Sequence, residues 1–460
     1  MAGSQWCTGA LKCEVVGDDF WMYASGKCQI PEHQKTTRGS TTSNHHPQNI
    51  SIQQNTHSIM TSIDTLSSGV ARIPDFQISQ DVYLIKNNLG ETGLFDTVLN
   101  KIKENEMAPY YHYLYYDLKL PHLEWDQSLY DSLVAKNKAK VADLKQQIEK
   151  LSEDDEGEIE ILKIWTQLGD YYASIGDKEN VVVNLKKTLE LAPSTGSKID
   201  LLLTIARVGF FYDDKQFTKK YLDEANNLIE KGGDWERRNR YKTYLGIYSM
   251  STRKFEEASK LFIDSLSTFT STEISTYEQV AEYSLICGVI ALGRQDLKKK
   301  LIESPEILAI NSNTDQLQPI YQLIKSLYYT EYNKFFPNLI KTSNEILKKD
   351  KYLQPHVNYY IREVRCRAYS QLLESYKSLS LKSMATSFGV SVEFLDADLC
   401  KFIPNKKLNC IIDRVNGIVE TNRPDNKDNQ YQLLIKNGDA LLTKLQKYGA
   451  AVRLSGAEKV

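Results

Sequence analysis

Histidine and cysteine, the residue types that most often carry catalysis or bind metals, are few in this chain and form no recognisable ligand motif. His45 and His46 are adjacent and could begin a metal site, but no second cluster accompanies them, so a solvated segment is favoured. Cys366 stands between Arg365 and Arg367, whose charges could lower the pKa of a thiol. Adjacent residues of a helix point in different directions, so a buried structural cysteine is the favoured interpretation.

Sequence motifs of known enzymes are also missing. The 460 residues contain no phosphate-binding loop, dinucleotide fingerprint, zinc-protease motif or nucleophile elbow, and no H-x-H pair. We therefore expect a protein that is not an enzyme. The sequence predicts no catalytic residue, no cofactor and no metal ligand.

Basic residues near the C-terminus raise a different possibility, which is contact with nucleic acid. Between Leu381 and Arg423 two short helices precede a two-stranded ribbon, the outline of a winged helix. This segment contains six basic and five acidic residues. On the second helix the predicted outward positions are occupied by Glu393, Asp396 and Asp398, with Lys401 as the single basic residue. Phosphate contacts supply most nucleic-acid affinity, so this balance disfavours DNA. A modest basic wing of Lys406, Lys407 and Arg414 keeps a weak RNA contact open, but protein binding is favoured.

The elements of this winged helix can be placed from local signals. Leu381, Met384, Ala385 and Phe388 form one apolar stripe. Gly389 suits the left-handed position that ends this helix. Ser391 suits the N-cap of the second helix, and Pro404 ends that helix. The inward residues of the second helix are Leu395, Leu399 and Phe402. Asn416–Gly417 between Val415 and Ile418 predicts a hairpin.

The first strand of the ribbon is a candidate binding element. An exposed strand edge offers unpaired backbone groups to another chain. We therefore predict partner binding by strand addition through Cys410, Ile411, Ile412, Asp413 and Arg414, the alternative being an edge shielded by the domain's own loops. Proline at Ile411 is expected to test this by removing a backbone donor.

A final helix is a second candidate. After the polar linker "TNRPDNKDN", apolar residues recur three and four apart at Leu434, Gly438, Leu441, Leu445 and Tyr448, as in a coiled-coil seam. A lone helix of about twenty residues is marginal in water, so it must dock. Bundling with partner subunits and packing back onto its own chain both remain open.

The middle of the chain predicts a helical solenoid. "WTQLGDYY" (Trp165–Tyr172) matches the opening of a tetratricopeptide unit, and Pro193 falls where such a unit closes. Glycine recurs at Gly209 and Gly246, where a small residue would let paired helices approach closely. In the segment from Gly232 to Gly246, Arg237, Arg238 and Arg240 could bind an acidic partner, but ion pairs within the chain are favoured.

Composition sets the remaining limits. The formal charge is −2, 41% of residues are hydrophobic, and no unbroken apolar run approaches 18 residues, so we expect no membrane span. The polar composition up to residue 72 predicts a disordered or non-native extension. Seven cysteines without a C-x-x-C pair favour buried thiols in a reducing compartment, the cytoplasm and nucleus.

These features together resemble the PCI-domain proteins, which are subunits of the proteasome lid, the signalosome and a translation initiation factor complex. "IKENEMAPYYHYL", "EKGGDWERRNRYKTY", "ESYKSLSLKSMATSFGVS", "FIPNKKLNCIIDRVNGIVETNRPDNKDNQY" and "LLTKLQKYGAAVRL" look like the lid subunits of the 26S proteasome that are numbered seventh in yeast and sixth in animals. The resemblance covers about Ile73 to Val460.

The resemblance implies an all-α solenoid of tetratricopeptide-like helix pairs, then a winged-helix PCI domain with a small β-sheet and a C-terminal helix. Expected bounds are N-terminal helices at 73–160, the solenoid at 161–350, the winged helix at 351–424 (the whole PCI domain about 228–424) and the C-terminal helix with its tail at 425–460. It implies a non-catalytic scaffold that supports ATP- and ubiquitin-dependent protein degradation. Expected partners are PCI and MPN lid subunits, with ATPase ring subunits as further candidates; a signalosome subunit and an RNA-associated PCI protein are the alternatives.

Overall fold

The computed structural model describes residues 72–89, 93–121, 123–153, 158–422 and 426–457. Within these residues the chain forms 19 α-helices and one three-stranded sheet. The predicted fold class, a helical solenoid followed by a winged helix and a terminal helix, is confirmed. The predicted extension lies outside the described residues, apart from its last residue, Arg72.

Four helices come before the solenoid: α1 (Phe76–Lys86), α2 (Leu94–Glu104), α3 (Ala108–Tyr116) and α4 (Gln127–Glu153). The first three enclose a small core of their own around Ile78, Ile102 and Tyr111. The hydroxyl of Tyr111 donates to the Glu124 carbonyl at 3.1 Å, which ties α3 to the segment leading into α4. A buried tyrosine thus contributes its ring to the core while its polar end is satisfied.

The solenoid consists of antiparallel helix pairs. The first three are α5 (Glu158–Ile175) with α6 (Lys178–Leu191), α7 (Thr195–Phe211) with α8 (Lys215–Gly232), and α9 (Trp235–Ser251) with α10 (Phe255–Leu266). The helical region continues through α11 (Tyr277–Ala291), α12 (Arg294–Leu297), α13 (Pro305–Asn313), α14 (Gln318–Tyr328), α15 (Tyr332–Thr342) and α16 (Val357–Leu373). One continuous core runs from α5 to the winged helix.

Close contact within each pair depends on glycine, as the sequence predicts. A Cβ on Gly246 of α9 would lie 2.7 Å from Cε1 of Phe262 on α10. Gly169, Gly209 and Gly288 face their neighbouring helices just as tightly. The recurrent glycine is therefore a packing position, because a side chain of the facing helix already fills the space that a Cβ would need.

Successive pairs are also bonded at their turns, over a separation of 36 residues. Lys178, the first residue of α6, pairs with Asp214 of the next turn at 2.6 Å, and Lys215, the first residue of α8, donates to the Ser251 carbonyl at 3.2 Å. In the opposite direction the hydroxyl of Tyr212 donates to the Gly176 carbonyl. These repeated contacts fix how one pair stacks on the next.

Helix α1 is held against the far end of the solenoid by one partly buried lysine. The ammonium of Lys351 donates to Oγ of Ser79 at 2.7 Å and to the carbonyls of Phe210 and Phe211 at 3.2 and 2.9 Å. Burial lowers the pKa of Lys351 to about 8. Three segments that are distant in sequence therefore meet at this side chain.

The winged helix contains β1 (Ser378–Ser380), α17 (Leu381–Phe388), α18 (Val392–Phe402), β2 (Cys410–Asp413) and β3 (Ile418–Thr421). All three strands are antiparallel in the order β1-β3-β2. Gly389 ends α17 at φ +66°, and the Ser391 hydroxyl accepts from the Phe394 N–H, so both predicted helix signals are confirmed.

Two details of the sheet differ from the sequence prediction. The strand β1 is additional, since three residues in front of a helix give no alternating pattern long enough to recognise. The hairpin loop spans four residues, 414–417, because Asp413 pairs with Ile418 and its carboxylate accepts hydrogen bonds from the N–H groups of Val415 and Asn416.

The last helix, α19 (Asn426–Ala457), has 32 residues and exceeds the predicted length of about twenty.

Replacing Gly246 with alanine should destabilise the chain although alanine is the better helix former. The new methyl group would overlap the Phe262 ring, and such overpacking costs about 1–3 kcal/mol. The free energy of unfolding in urea, followed by circular dichroism, measures the change. Gly438→Ala on α19 is the matched control: its Cβ meets no atom within 4 Å, so it should be neutral or stabilise by up to about 1 kcal/mol. Equal effects of both variants would contradict the packing role.

Candidate protein-interaction surfaces

The strand β2 lies at the edge of the sheet, and its outward backbone groups can be assigned. The Asn409 carbonyl accepts from the Asn422 N–H at 2.8 Å, which makes these two residues a hydrogen-bonded pair. Because such pairs alternate along an antiparallel ladder, Ile411 and Asp413 also face β3. The N–H and C=O groups of Cys410 and Ile412 therefore point away from the sheet.

This assignment corrects the test suggested by the sequence. Proline at Ile411 would remove a donor that bonds β3, so it would disrupt the hairpin rather than the open edge. The alternation of the ladder is not readable from residue types, which is why the sequence could not choose between neighbouring positions. Ile412 is the position whose N–H can be removed from the outer edge alone.

Exposed apolar side chains accompany the open edge. Ile411 is 59% exposed and Val415, in the hairpin loop, is 95% exposed, whereas Cys410 is buried and Ile412 partly buried. Partner strands that add to an edge use main-chain bonds for affinity and alternate side chains for specificity. The predicted segment thus presents both kinds of group.

The predicted basic wing is largely neutralised. Lys407 forms an ion pair with Glu363, and Arg414 pairs with Asp396 at 2.9 Å. Only Lys406 of the three wing residues lacks an ion pair within the described part of the chain. This leaves little positive charge for phosphate groups.

One acidic position was predicted wrongly. Asp398 is not an outward residue of α18: it is buried, pairs with Arg365 at 3.1 Å and accepts from the Tyr369 hydroxyl at 3.2 Å. The pKa of Asp398 is raised overall by burial. The charge of Arg365 and the hydrogen bond from Tyr369 lower it, but by less than burial raises it. The helical period places Asp398 near the boundary of the apolar face of α18. Whether it is buried or exposed depends on how α16 packs against α18.

The terminal helix presents the second surface. Leu434, Leu441, Leu445 and Tyr448 are 69%, 60%, 59% and 71% exposed, and all residues from 427 to 453 are exposed. At 100° per residue, Tyr431, Ile435 and Leu442 extend these positions into an apolar stripe roughly 140° wide. The stripe is wider than the predicted seam, and the sequence signal for it was the run of paired apolar residues, "LLI" and "LL".

The basic segment at the start of α9 is used inside the chain. Arg237 pairs with Asp200 at 2.8 Å, and Arg240 pairs with Asp200 and with the buried Glu273, both at 2.9 Å. Although burial alone would lower it, the pKa of Arg240 is raised overall by Glu273, Tyr244 and Asp200. The prediction of intramolecular ion pairs is confirmed for these two arginines, while Arg238 is exposed.

The cysteines of the described region have the surroundings of structural residues. Cys366 is buried, and burial raises the pKa of its thiol to about 11, as expected for a structural cysteine. Cys287 and Cys410 are also buried free thiols, and Cys400 is half-buried.

Within the described residues no three histidine, cysteine or acidic side chains lie close enough together to bind one metal ion. The described helices include none with the length and apolar character to cross a membrane.

Comparison with known families agrees with this architecture. A PCI domain matches residues 340–423, which contain the winged helix, so the chain is a PCI-domain protein. The 26S proteasome subunit RPN7 model matches residues 126–300, and a model of the 26S proteasome regulatory subunit RPN7/PSMD6 C-terminal helix matches residues 430–452.

Individual relatives define the family more closely. The chain is 52% identical to the 26S proteasome regulatory subunit RPN7 of Saccharomyces cerevisiae, over 86% of this chain and 98% of the relative. It is 44% identical to the Schizosaccharomyces pombe subunit of the same name, over 84% of this chain and 98% of the relative. The chain belongs to the RPN7/PSMD6 family. Subunit 1b of the COP9 signalosome complex from Drosophila melanogaster is more distant, at 24% identity over 68% of this chain and 61% of the relative.

Replacing Arg240 with methionine should destabilise the chain strongly, because the buried Glu273 would lose its cationic partner and keep only the Tyr244 hydrogen bond. Removing one partner of a buried pair typically costs about 3–5 kcal/mol. Arg238→Met, on the same helix but exposed, should change the free energy of unfolding by about 0.5 kcal/mol or less. Adding Glu273→Gln to Arg240→Met should recover part of the loss. If Arg240→Met and Arg238→Met unfold at the same urea concentration, the buried pair has no structural role.

Proposed function

We propose that this chain is a non-catalytic scaffold subunit of the lid of the 26S proteasome regulatory particle, where it supports ATP- and ubiquitin-dependent protein degradation. The observation that carries the proposal is the exposed apolar stripe of α19. It falls in residues 430–452, which match the C-terminal helix of the RPN7/PSMD6 family. An amphipathic helix whose apolar face lies in water is stabilised when other helices cover that face.

The proposal assigns different partners to the two surfaces. The outer edge of β2, from Cys410 to Arg414, would pair with the winged helix of a neighbouring PCI subunit. The stripe around Leu434, Leu441, Leu445 and Tyr448 would join a bundle with terminal helices of PCI and MPN lid subunits. ATPase ring subunits are further candidates for contact with the solenoid. We place the whole PCI domain at about 228–424 and the assembled particle in the cytoplasm and nucleus.

The signalosome is the second candidate, since the COP9 subunit matches much of the same chain. A signalosome subunit would use the same two surfaces in a complex without peptidase activity. The much higher identity to proteasome subunits, over nearly their full length, favours the lid. The neutralised wing disfavours the RNA-associated alternative.

Native purification through an N-terminal tag tests the assembly and the role of α19 together. The unmodified chain should be recovered in an ATP-dependent particle that cleaves peptides. Leu441→Glu with Leu445→Glu places two charges in the apolar stripe and should reduce recovery in that particle at least about tenfold.

Gln432→Glu with Thr443→Glu adds the same charges on the polar face of α19 and is the matched control, which should assemble normally. Recovery in a smaller complex without peptidase activity would favour the signalosome. Normal assembly of the Leu441 and Leu445 variant would exclude bundling through this face.

The open edge of β2 is tested by Ile412→Pro, which removes an outward N–H and leaves the ladder to β3 intact. Ile412→Ala is the control, because it loses the same side chain but keeps the N–H. We expect the proline variant to enter the particle at least about tenfold less than the alanine variant in a competition between tagged copies. Equal entry, with both variants unfolding at similar temperatures, would show that the edge makes no intermolecular bond.

A further inference from the structure

A cavity of about 580 Å³ lies where α1, the loop before α11, α11 itself and the segment around residue 350 meet. It is separate from the edge of β2 and from α19. Its wall contains Glu273, Ser275, Glu282 and Asp350, and the rings of Tyr283 and Tyr352. The cavity is therefore rich in oxygen atoms that can accept hydrogen bonds.

Two of these oxygens are buried and have no hydrogen-bond partner in the part of the chain that the structure describes. Glu273 is 1% exposed; its Oε1 accepts from Arg240 and from the Tyr244 hydroxyl, at 2.9 and 3.1 Å, but its Oε2 has no hydrogen-bond partner within the described residues. The hydroxyl of Ser275, which is 8% exposed, is likewise without a partner there. Buried acceptors are normally satisfied, so this wall is incomplete as it stands.

Glu282 adds a third acceptor on the same wall. It is partly buried, and no described side chain forms an ion pair with it. Burial and the nearby charge of Asp350 raise its pKa to about 8. Asp350 offers little itself, because its oxygens already accept from the Tyr283 hydroxyl and from the N–H groups of Tyr352 and Leu353. It contributes negative potential to the cavity.

The lysine that lines the cavity and is partly buried, Lys351, makes its hydrogen bonds outside the acidic wall. Lys351 lines the cavity, but its ammonium donates to Ser79 and to the carbonyls at the end of α7. Arg72 and Lys349 also line the wall, and Lys349 is exposed. None of the hydrogen bonds described for Glu273 comes from these three side chains.

We propose that this cavity binds the guanidinium group of an arginine side chain presented by a partner chain. A guanidinium carries five N–H donors in a flat fork, which suits acceptors spread over Glu273, Ser275 and Glu282. Aromatic rings also attract a guanidinium, and Tyr283 and Tyr352 both line the cavity. Positive charge is stabilised by Glu282 once its carboxyl is ionised. The site would act whether or not the lid assignment holds.

The test uses the purified full-length chain and a blocked tripeptide, acetyl-Gly-Arg-Gly-amide, whose guanidinium is its only charge. Titration calorimetry should detect binding, and the same peptide with citrulline should bind at least about tenfold more weakly, because citrulline is isosteric but neutral. At about pH 9, where the carboxyl of Glu282 is ionised, Glu282→Gln should weaken binding of the arginine peptide by a similar factor. Glu278→Gln, an exposed position on the same helix, should leave it within about twofold.

Other outcomes overturn the proposal. Absence of binding up to about 20 mM would mean that the cavity holds only water. Unchanged binding by Glu282→Gln would place the peptide elsewhere. Free arginine binding much more tightly than the blocked peptide would assign the cavity to a small molecule instead of a partner chain. If Glu282→Gln does not fold, Ser275→Ala provides the second variant, with the same expected direction.

Discussion

Close helix–helix contact at the glycine positions is the constraint on which the rest of this structure depends. The ring of Phe262 packs directly on the backbone at Gly246, and side chains of neighbouring helices pack in the same way on the other solenoid glycines. Each pair then buries its apolar residues on its neighbours, which gives one continuous core. That core also supports the winged helix, since α16 and α17 are part of it.

Polar contacts fix the positions of the stacked helix pairs relative to one another. The lysines that begin α6 and α8 bond the following turns, and Lys351 joins α1 to the end of α7. Buried ion pairs add little net stability but penalise wrong arrangements, because an unpaired buried charge is costly. The pairing of Arg240 with Glu273 can be understood in this way, as a contact that fixes the position of α9 against the loop before α11.

Much of the fold could be predicted from sequence because the signals are local. Helical periodicity, Gly389 and Ser391 each act within a few residues, and the structure has them as expected. Features that depend on distant partners were missed. The side of α18 taken by Asp398 depends on Arg365 and Tyr369, and the outward residues of β2 depend on its register with β3. The cavity near Glu282 could not be foreseen, because its wall combines residues 72–80, 272–283 and 345–352, which are far apart in the chain.

The exposed face of α19 has a consequence for the chain before it meets any partner. A stripe of leucine, isoleucine and tyrosine side chains in water promotes self-association, which rises with concentration. If partner helices cover this stripe as we propose, copies made in excess of those partners would keep it exposed. Under that proposal the helix would also distinguish an orphan copy, which aggregates or binds chaperones through these residues, from an incorporated one.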